Sequence, residues 1–529
     1  MKNFNRFDYI VIGAGHNGLV CAAYLAKTGK RVLVLEKRSI LGGSCTTEAI
    51  FKNCKVSRAA YVLSLFHPQI ISDLALKSFH LTLLKRDPSS ISLFKNKQPL
   101  ILGSDLNKNI KSIERFSQKD AKVYSKYLNY LESIVSFVDN TLTMIPPNIL
   151  PRSLFDIKTI IKLLFHLFIN LKSTINFLFL MTQSASSILN QWFECDELKG
   201  VLATDGIIGA MASPKTKGTG YILLHHVMGK VTNQTGVWTY VEGGMGGLID
   251  ALTNACLSLN VTIKTVSEVS SIDVSSTFKK VILNNGDFYE SPIVISNLDP
   301  YLTSRLIDKA FLPKKYLRNI EKIDFSSPVV KINVHLSAMP KFKALHGLLK
   351  DRDLQGTIHL NPLINDLDES YQEAQNNRFS TKPLIEITLP SVIDKTLTPK
   401  GEHVMGIFSQ YAPYNLLSEH WNKNKLAYVN HIFNLIEHYC PQFKSLIIDY
   451  EALCPRDLQH IYSLTNGNIF HGAMTFNQLF SFRPVRGFAN YTTPIKGLYI
   501  CGSGTHPGGG VTGIPGFNAA KKIIHDTIK

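Results

Sequence analysis

Six residues near the start of the chain have the spacing needed to hold a dinucleotide: Gly13-Ala14-Gly15-His16-Asn17-Gly18, a G-x-G-x-x-G. Gly13 permits a tight turn, Gly15 lets a pyrophosphate approach bare backbone, and Gly18 lets a helix pack close to a strand. His16 and Asn17 lie between them, at the helix N-terminus, where free N–H groups and the positive end of the dipole favour phosphate. Both flanking elements are legible. Tyr9-Ile10-Val11-Ile12 is an unbroken apolar run, which reads as a strand covered on both faces. Leu19, Val20, Ala22, Ala23, Leu25 and Ala26 continue as a helix that Gly29 stops. A second strand, Arg31 to Leu35, ends at Glu36, an acid placed to bind ribose hydroxyls.

Glu36 is followed by Lys37, Arg38 and the pair Gly42-Gly43. The pair resembles the flavoprotein extension of the Rossmann fingerprint, in which the chain returns beneath the pyrophosphate; a nicotinamide dehydrogenase has no need of it, so FAD is favoured. The far end of the chain carries the complementary signal. Lys496 to Gly502 reads as a turn, a short strand and another glycine turn, and seven glycines fall from Gly502 to Gly516. Such a loop brings backbone N–H groups against a flat ligand rather than packing a core. Gly502, Ser503, Gly510, Val511 and Thr512 are therefore candidate flavin contacts. A helix expected over Asn518–Ile528 offers a second N-terminal dipole. His506, beside Pro507 in this loop, and His471, in Gly-Asn-Ile-Phe-His-Gly-Ala-Met, are the candidate catalytic proton carriers; flavin contact or a plain loop role are alternatives.

With these residues in place, the sequence resembles the carotenoid/retinoid oxidoreductase family of flavoproteins, relatives of bacterial phytoene desaturase. The resemblance is carried by DYIVIGAGHNGLVCAAYLAKTGKRVLVLEKRSILGG, FKNCKVSRAAYVLSLFHPQI, VEGGMGGLIDAL, GNIFHGAM and GLYICGSGTHPGGGVTGIPG, spread over nearly the whole chain. It implies an α/β fold with a Rossmann-type FAD domain assembled from discontinuous segments and an inserted α+β substrate domain with a helical subdomain. It also implies non-covalent FAD and oxidoreductase activity on an apolar, isoprenoid- or lipid-like substrate. A valine in the second strand after the chain returns to the FAD domain would meet adenine through its backbone, which points to Val269.

Residues 1–104, 236–300 and 456–529 are expected to form the FAD domain, 105–235 the helical part of the substrate domain, and 301–455 its remainder. Within 236–300, Asn285-Gly286 is a hairpin turn between alternating strands, and Ile293 to Ser296 is a further buried strand. Asn109 to Leu142 and Leu154 to Met181 show helical spacing. The second stretch is near the length of a membrane span, yet Lys158, Lys162, His166 and Lys172 would be costly in hydrocarbon. It reads as a buried helix, a subunit interface or an interfacial helix that takes up lipid.

The 529 residues carry 57 Lys+Arg against 40 Asp+Glu, a formal charge of +17, with no block of like charge. No zinc-knuckle, RNP-type or basic-zipper pattern accompanies that charge, so nucleic acid is not an expected partner. Eight cysteines without a C-x-x-C exclude a disulfide scaffold and argue against dithiol catalysis: Cys45 follows the glycine turn, but the partner position of a Cys-x4-Cys pair is Ile50. The histidines show no metal spacing, and no metal is expected. With one fingerprint only, the electron acceptor would be oxygen, a quinone or a protein. The expected location is the cytoplasm, with peripheral membrane contact or the mitochondrial matrix as alternatives, and a homo-oligomer is a further expectation. Two other functions stay open: a flavin-stabilised binding or regulatory protein associated with a membrane or respiratory component, and an amine oxidase. The latter would need an aromatic cage, to which Tyr491 and Phe482 could contribute.

Overall fold

The computed structural model describes residues 5–151, 153–417 and 421–527. Two sheets organise the chain. The first is parallel and five-stranded, in the order Leu498–Ile500, Ile293–Ser296, Tyr9–Ile12, Val32–Leu35, Thr262–Lys264. Tyr9–Ile12 and Val32–Leu35 are apolar at every position because both faces are covered. Tyr9, Val11, Val32 and Val34 pack against a helical layer that includes residues of His16–Ala26, Gly246–Ser258 and Ile514–Thr527. Ile10, Ile12, Leu33 and Leu35 pack the other way, against the antiparallel strands Val269–Asp273, Lys279–Leu283 and Phe288–Ser291. Residues 9, 293 and 498 thus meet in one sheet, as expected of a domain assembled from separate segments.

The second sheet has seven strands, in the order Ile447–Leu453, Val329–Leu336, His403–Gln410, Leu384–Thr388, Thr357–Leu360, Ser90–Leu93, Leu100–Leu102. All pairings are antiparallel except Thr357–Leu360 with Ser90–Leu93. The expected first segment, 1–104, therefore gives its last two strands to the sheet otherwise formed by 329–453. Strands of three or four residues separated by a polar turn carry too little pattern to reveal which sheet they join. Leu83–Lys85 pairs with Thr239–Val241 and stitches the first and third segments together.

Residues 106–227 are helical, led by Leu106–Glu114 and Gln118–Leu142. Ser117 caps the latter by accepting from the Asp120 amide, and Ser153 caps Leu154–Ile169 by accepting from Asp156. The stretch expected as one helix from 154 to 181 is two, Leu154–Ile169 and Leu171–Thr182, bent by 99°. Asn170 leaves helical geometry (φ −111°, ψ 39°) and its side-chain amide donates to the His166 carbonyl, ending the first helix. Neither is long and apolar enough to cross a membrane. Both expose large apolar side chains, among them Leu154, Phe165 and Phe168, which are 75%, 64% and 76% exposed.

The C-terminal helix, Ile514–Thr527, starts four residues before the expected Asn518; the expected end, Ile528, lies outside the described residues. Pro515 fits its first turn, where the missing N–H costs nothing. Gly516 is required because a Cβ there would stand 2.1 Å from the Asn17 carbonyl oxygen. The last helix thus crosses the first at backbone contact.

Candidate functional site

The first glycine turn is built by close approach. Gly13 has φ +94°, and a Cβ on Gly18 would lie 2.2 Å from the Gly13 oxygen, so the helix can start here only with glycine. A Cβ on Gly15 would lie 2.8 Å from Asn297 Nδ2, and that amide donates to the Gly13 carbonyl at 3.3 Å. The second glycine turn seats against the first: the Gly42 amide donates to the Ala14 carbonyl at 3.0 Å. Glu36 is buried, and its carboxylate accepts from the amides of Ala14 (2.9 Å) and Arg38 (3.0 Å). The acid thus fixes the loop as well as facing the space beyond it. Arg38 and Arg58 both pair with Glu48, and Arg58 also with Glu451, which ties the cradle to the second sheet.

The C-terminal loop closes over the same space. Asn17 Nδ2 donates to Ser503 Oγ at 3.2 Å, joining residues 486 positions apart. Beneath the loop lies Arg483, fully buried and without an acidic partner among the described residues. Its guanidinium donates to the carbonyls of Phe470 (2.5 Å), Ser503 (2.8 Å), Gly472 (3.2 Å) and Gln478 (3.3 Å). Burial pulls its pKa down to about 10. Asn17 Oδ1, His16 Nε2 and His471 Nδ1 are buried in the site with no hydrogen-bond partner, as polar atoms awaiting a ligand would be. A cradle that no side chain can enter, together with these orphaned atoms, fits a dinucleotide.

One cavity of about 1240 Å³ runs from this cradle to the second sheet. Gly13, Gly15, His16, Asn17, Glu36, Lys37 and Arg38 line its cradle end. Gly42, Gly43, Val269, Ser503, Gly510 and Val511 line it too. Gly18, Gly502 and Thr512 do not; Gly18 serves helix packing, and a Cβ on Gly502 would stand 2.6 Å from the Asn297 oxygen. The two candidate proton carriers part company. His471 lines the cavity, held at φ +58°, with a pKa lowered to about 4 by burial and then by the Arg483 charge. His506 is absent from the lining. Its Nε2 donates to the Thr141 carbonyl at 3.1 Å, its ring meets Phe480 edge-on, and burial lowers it to about 4, so it braces the loop against the helical region. The residues considered for an aromatic cage are also elsewhere. Tyr491 is fully buried and donates to the His506 carbonyl, and Phe482 packs on Phe476; other aromatic residues line the cavity, among them Tyr61, Tyr127, Trp238, Phe408 and Phe470.

The far half of the cavity has two different walls. Tyr124, Tyr127, Leu131, Val201 and Leu223 supply an apolar helical side, while Lys331, His359, Glu386 and Phe408 project from the second sheet. The sheet-side groups were invisible in the sequence, because alternation in a strand does not tell a cavity-facing lysine from a solvent-facing one. Lys331 is buried; its Nζ donates to Asn333 Oδ1 at 2.7 Å and lies 5.2 Å from the Tyr61 ring centre. Burial lowers its pKa from 10.5 to about 7. The folded amine therefore loses its proton near pH 7 while the unfolded chain holds its own up to 10.5. Stability contributed by this residue is constant below pH 7 and rises with pH across that window. Lys331→Met lacks this rise, so its stability relative to the parent is expected to be greatest at about pH 6 and to fall by about pH 9. Urea midpoints at the two pH values check this; a constant difference would refute it.

Elsewhere, Cys54, His335 and Glu402 place their polar atoms within 4.8 Å of one another. His335 Nε2 and Glu402 Oε2 are 2.7 Å apart, a hydrogen-bond distance, whereas two ligands of one zinc stand about 3.3 Å apart. The trio is a hydrogen-bonded cluster as it stands. All eight cysteines are free and buried.

A glycine-cradled parallel sheet, opening through one cavity onto a mixed sheet, defines a Rossmann-type dinucleotide-binding oxidoreductase of the flavoprotein architecture. Residues 11–75 match the NAD(P)-binding Rossmann-like domain. The chain belongs to the family of pyridine nucleotide-disulfide oxidoreductase domain-containing protein 2: the rat protein is 39% identical over 98% of this chain and 94% of its own. Phytoene desaturase of Fusarium fujikuroi is 25% identical, covering 98% of this chain and 88% of that protein. Among solved structures, a redesigned putrescine oxidase shares the fold, with a TM-score of 0.60 and 13% identity over 99% of both chains.

Proposed function

We propose that the chain is a FAD-dependent oxidoreductase that desaturates an isoprenoid- or lipid-like substrate: one C–H bond gives up hydride, which FAD would accept, and the neighbouring C–H bond gives up a proton, passed by way of neutral His471 to solvent, as the C=C bond forms. The observation that carries this reading is the single cavity linking the glycine cradle to a chamber with an aliphatic and aromatic wall. FAD would be held without a covalent bond. The chain's own residues do the rest. Backbone amides at Gly13–Gly18 and the His16–Ala26 helix N-terminus hold phosphate, and Glu36 holds ribose. Arg483 fixes the two loops that cover the reacting region. His471, neutral through burial, is available as a proton acceptor rather than as an acid. Tyr127, Leu131 and Leu223 orient the substrate's apolar body and exclude water. The test is direct. The purified protein should show the visible flavin band and release FAD on denaturation, and a substrate from an apolar panel should bleach the band without oxygen. A colourless protein that takes up no FAD would end the proposal.

The substrate reaches the chamber from an anionic bilayer. The bent helices Leu154–Ile169 and Leu171–Thr182 present Phe165, Phe168 and Leu171 to solvent together with the exposed Lys158, Lys162 and Lys172, the composition of an interfacial helix on anionic lipid. Phe165→Glu with Phe168→Glu is expected to weaken sedimentation with phosphatidylserine vesicles about tenfold or more, with the flavin retained. Unchanged sedimentation would remove the bilayer as partner.

A further inference from the structure

Arg86 is 5% exposed and lines the far half of the cavity. Nε donates to the Gln355 carbonyl at 2.9 Å and Nη2 to Thr357 Oγ1 at 2.5 Å, while the guanidinium lies 4.9 Å from the Tyr240 ring centre. These contacts orient the group; none neutralises it. Among the described residues it has no carboxylate within ion-pair distance. Glu386, on the same side of the cavity, is held instead by His359 Nε2 at 3.2 Å and the Tyr61 hydroxyl at 3.3 Å. A buried cation with no carboxylate in contact is costly, even with Glu386 and Asp205 elsewhere on the cavity wall, and an anion bound against it relieves that cost. The guanidinium's fixed fork suits a planar carboxylate, while one arginine is too few for a diphosphate.

We propose that Arg86 seats the carboxylate of an otherwise apolar substrate, so that the enzyme acts on a long-chain acid rather than on a hydrocarbon. This deepens the oxidoreductase reading and rests on it for the meaning of the bound acid, but carboxylate binding can be measured without turnover. Radiolabelled oleate and methyl oleate are compared by equilibrium dialysis on the purified flavoprotein, with oleyl phosphate as competitor. Oleate should bind one site per chain about ten- to a hundredfold tighter than its ester, and more tightly than the phosphate. Arg86→Met should erase that preference and Arg86→Lys should keep part of it. Equal affinity for acid and ester in the parent protein overturns the proposal even if Arg86→Met fails to fold, and so does an acid preference that survives in Arg86→Met. Tighter binding of oleyl phosphate overturns the carboxylate assignment. If the acid preference holds while no substrate bleaches the flavin, the seat stands and the oxidoreductase reading falls; if ester and acid bleach and bind alike, the reverse is true.

Discussion

Gly15→Val is expected to yield a folded but colourless protein, with FAD affinity lowered more than about a hundredfold. Two crowded neighbours set that magnitude. The new Cβ meets Asn297 Nδ2 at 2.8 Å, and Asn297 is the residue that holds the Gly13 carbonyl. Behind it, Gly15 pairs with Gly42 in an isolated parallel bridge, so the first glycine turn cannot retreat without pushing the second. The branched side chain therefore enters the cradle, where backbone must meet phosphate. Flavin absorbance of the purified variant, and titration of FAD into it, measure the effect. Normal FAD binding would show that the phosphates lie elsewhere.

Arg483→Met should have the largest effect on stability, a loss of about 3–5 kcal/mol. Methionine matches the volume approximately but leaves the carbonyls of Phe470, Gly472, Gln478 and Ser503 without their donor in a buried site. Each orphaned carbonyl costs about 1–3 kcal/mol, and the costs are not additive. Arg483→Lys should rescue little, because one ammonium cannot span four carbonyls on two loops. Chemical denaturation reads the loss, and flavin retention should fall with it because Ser503 leaves its place. A midpoint unchanged in Arg483→Met would show that the loops hold without the guanidinium.

What the sequence disclosed and what it hid divide along physical lines. The cradle was legible because its chemistry is local: Gly13, Gly15, Gly18 and Glu36 lie on contiguous chain, and each glycine answers a backbone requirement. Val269 entered by resemblance, and it lines the cavity. Asn297 and Arg483 were missed because their partners are backbone carbonyls, near in sequence for Arg483 and far away for Asn297, and a carbonyl leaves no spacing signature. His359 and Glu386 were missed because a polar residue in a strand reads as solvent-facing until the cavity behind it is known, and Arg86, just past the strand Leu83–Lys85, reads as a surface charge in the same way. His506 drew attention by sitting in a glycine-rich loop, yet its partner is the Thr141 carbonyl, not the cavity. The break at Asn170 was hidden because helical periodicity continues through a single residue that changes direction.

The parallel sheet's strand order also governs the chain's birth. Tyr9–Ile12 needs Ile293–Ser296 as one neighbour, and that strand in turn needs Leu498–Ile500. During synthesis the opening strand can pair at once with Val32–Leu35, but its other edge stays uncovered until residues 293–296 are made. A chain stopped before Leu498 would leave the outer edge of Ile293–Ser296 unpaired, so a late truncation should cost the parallel sheet as well as the terminal loop.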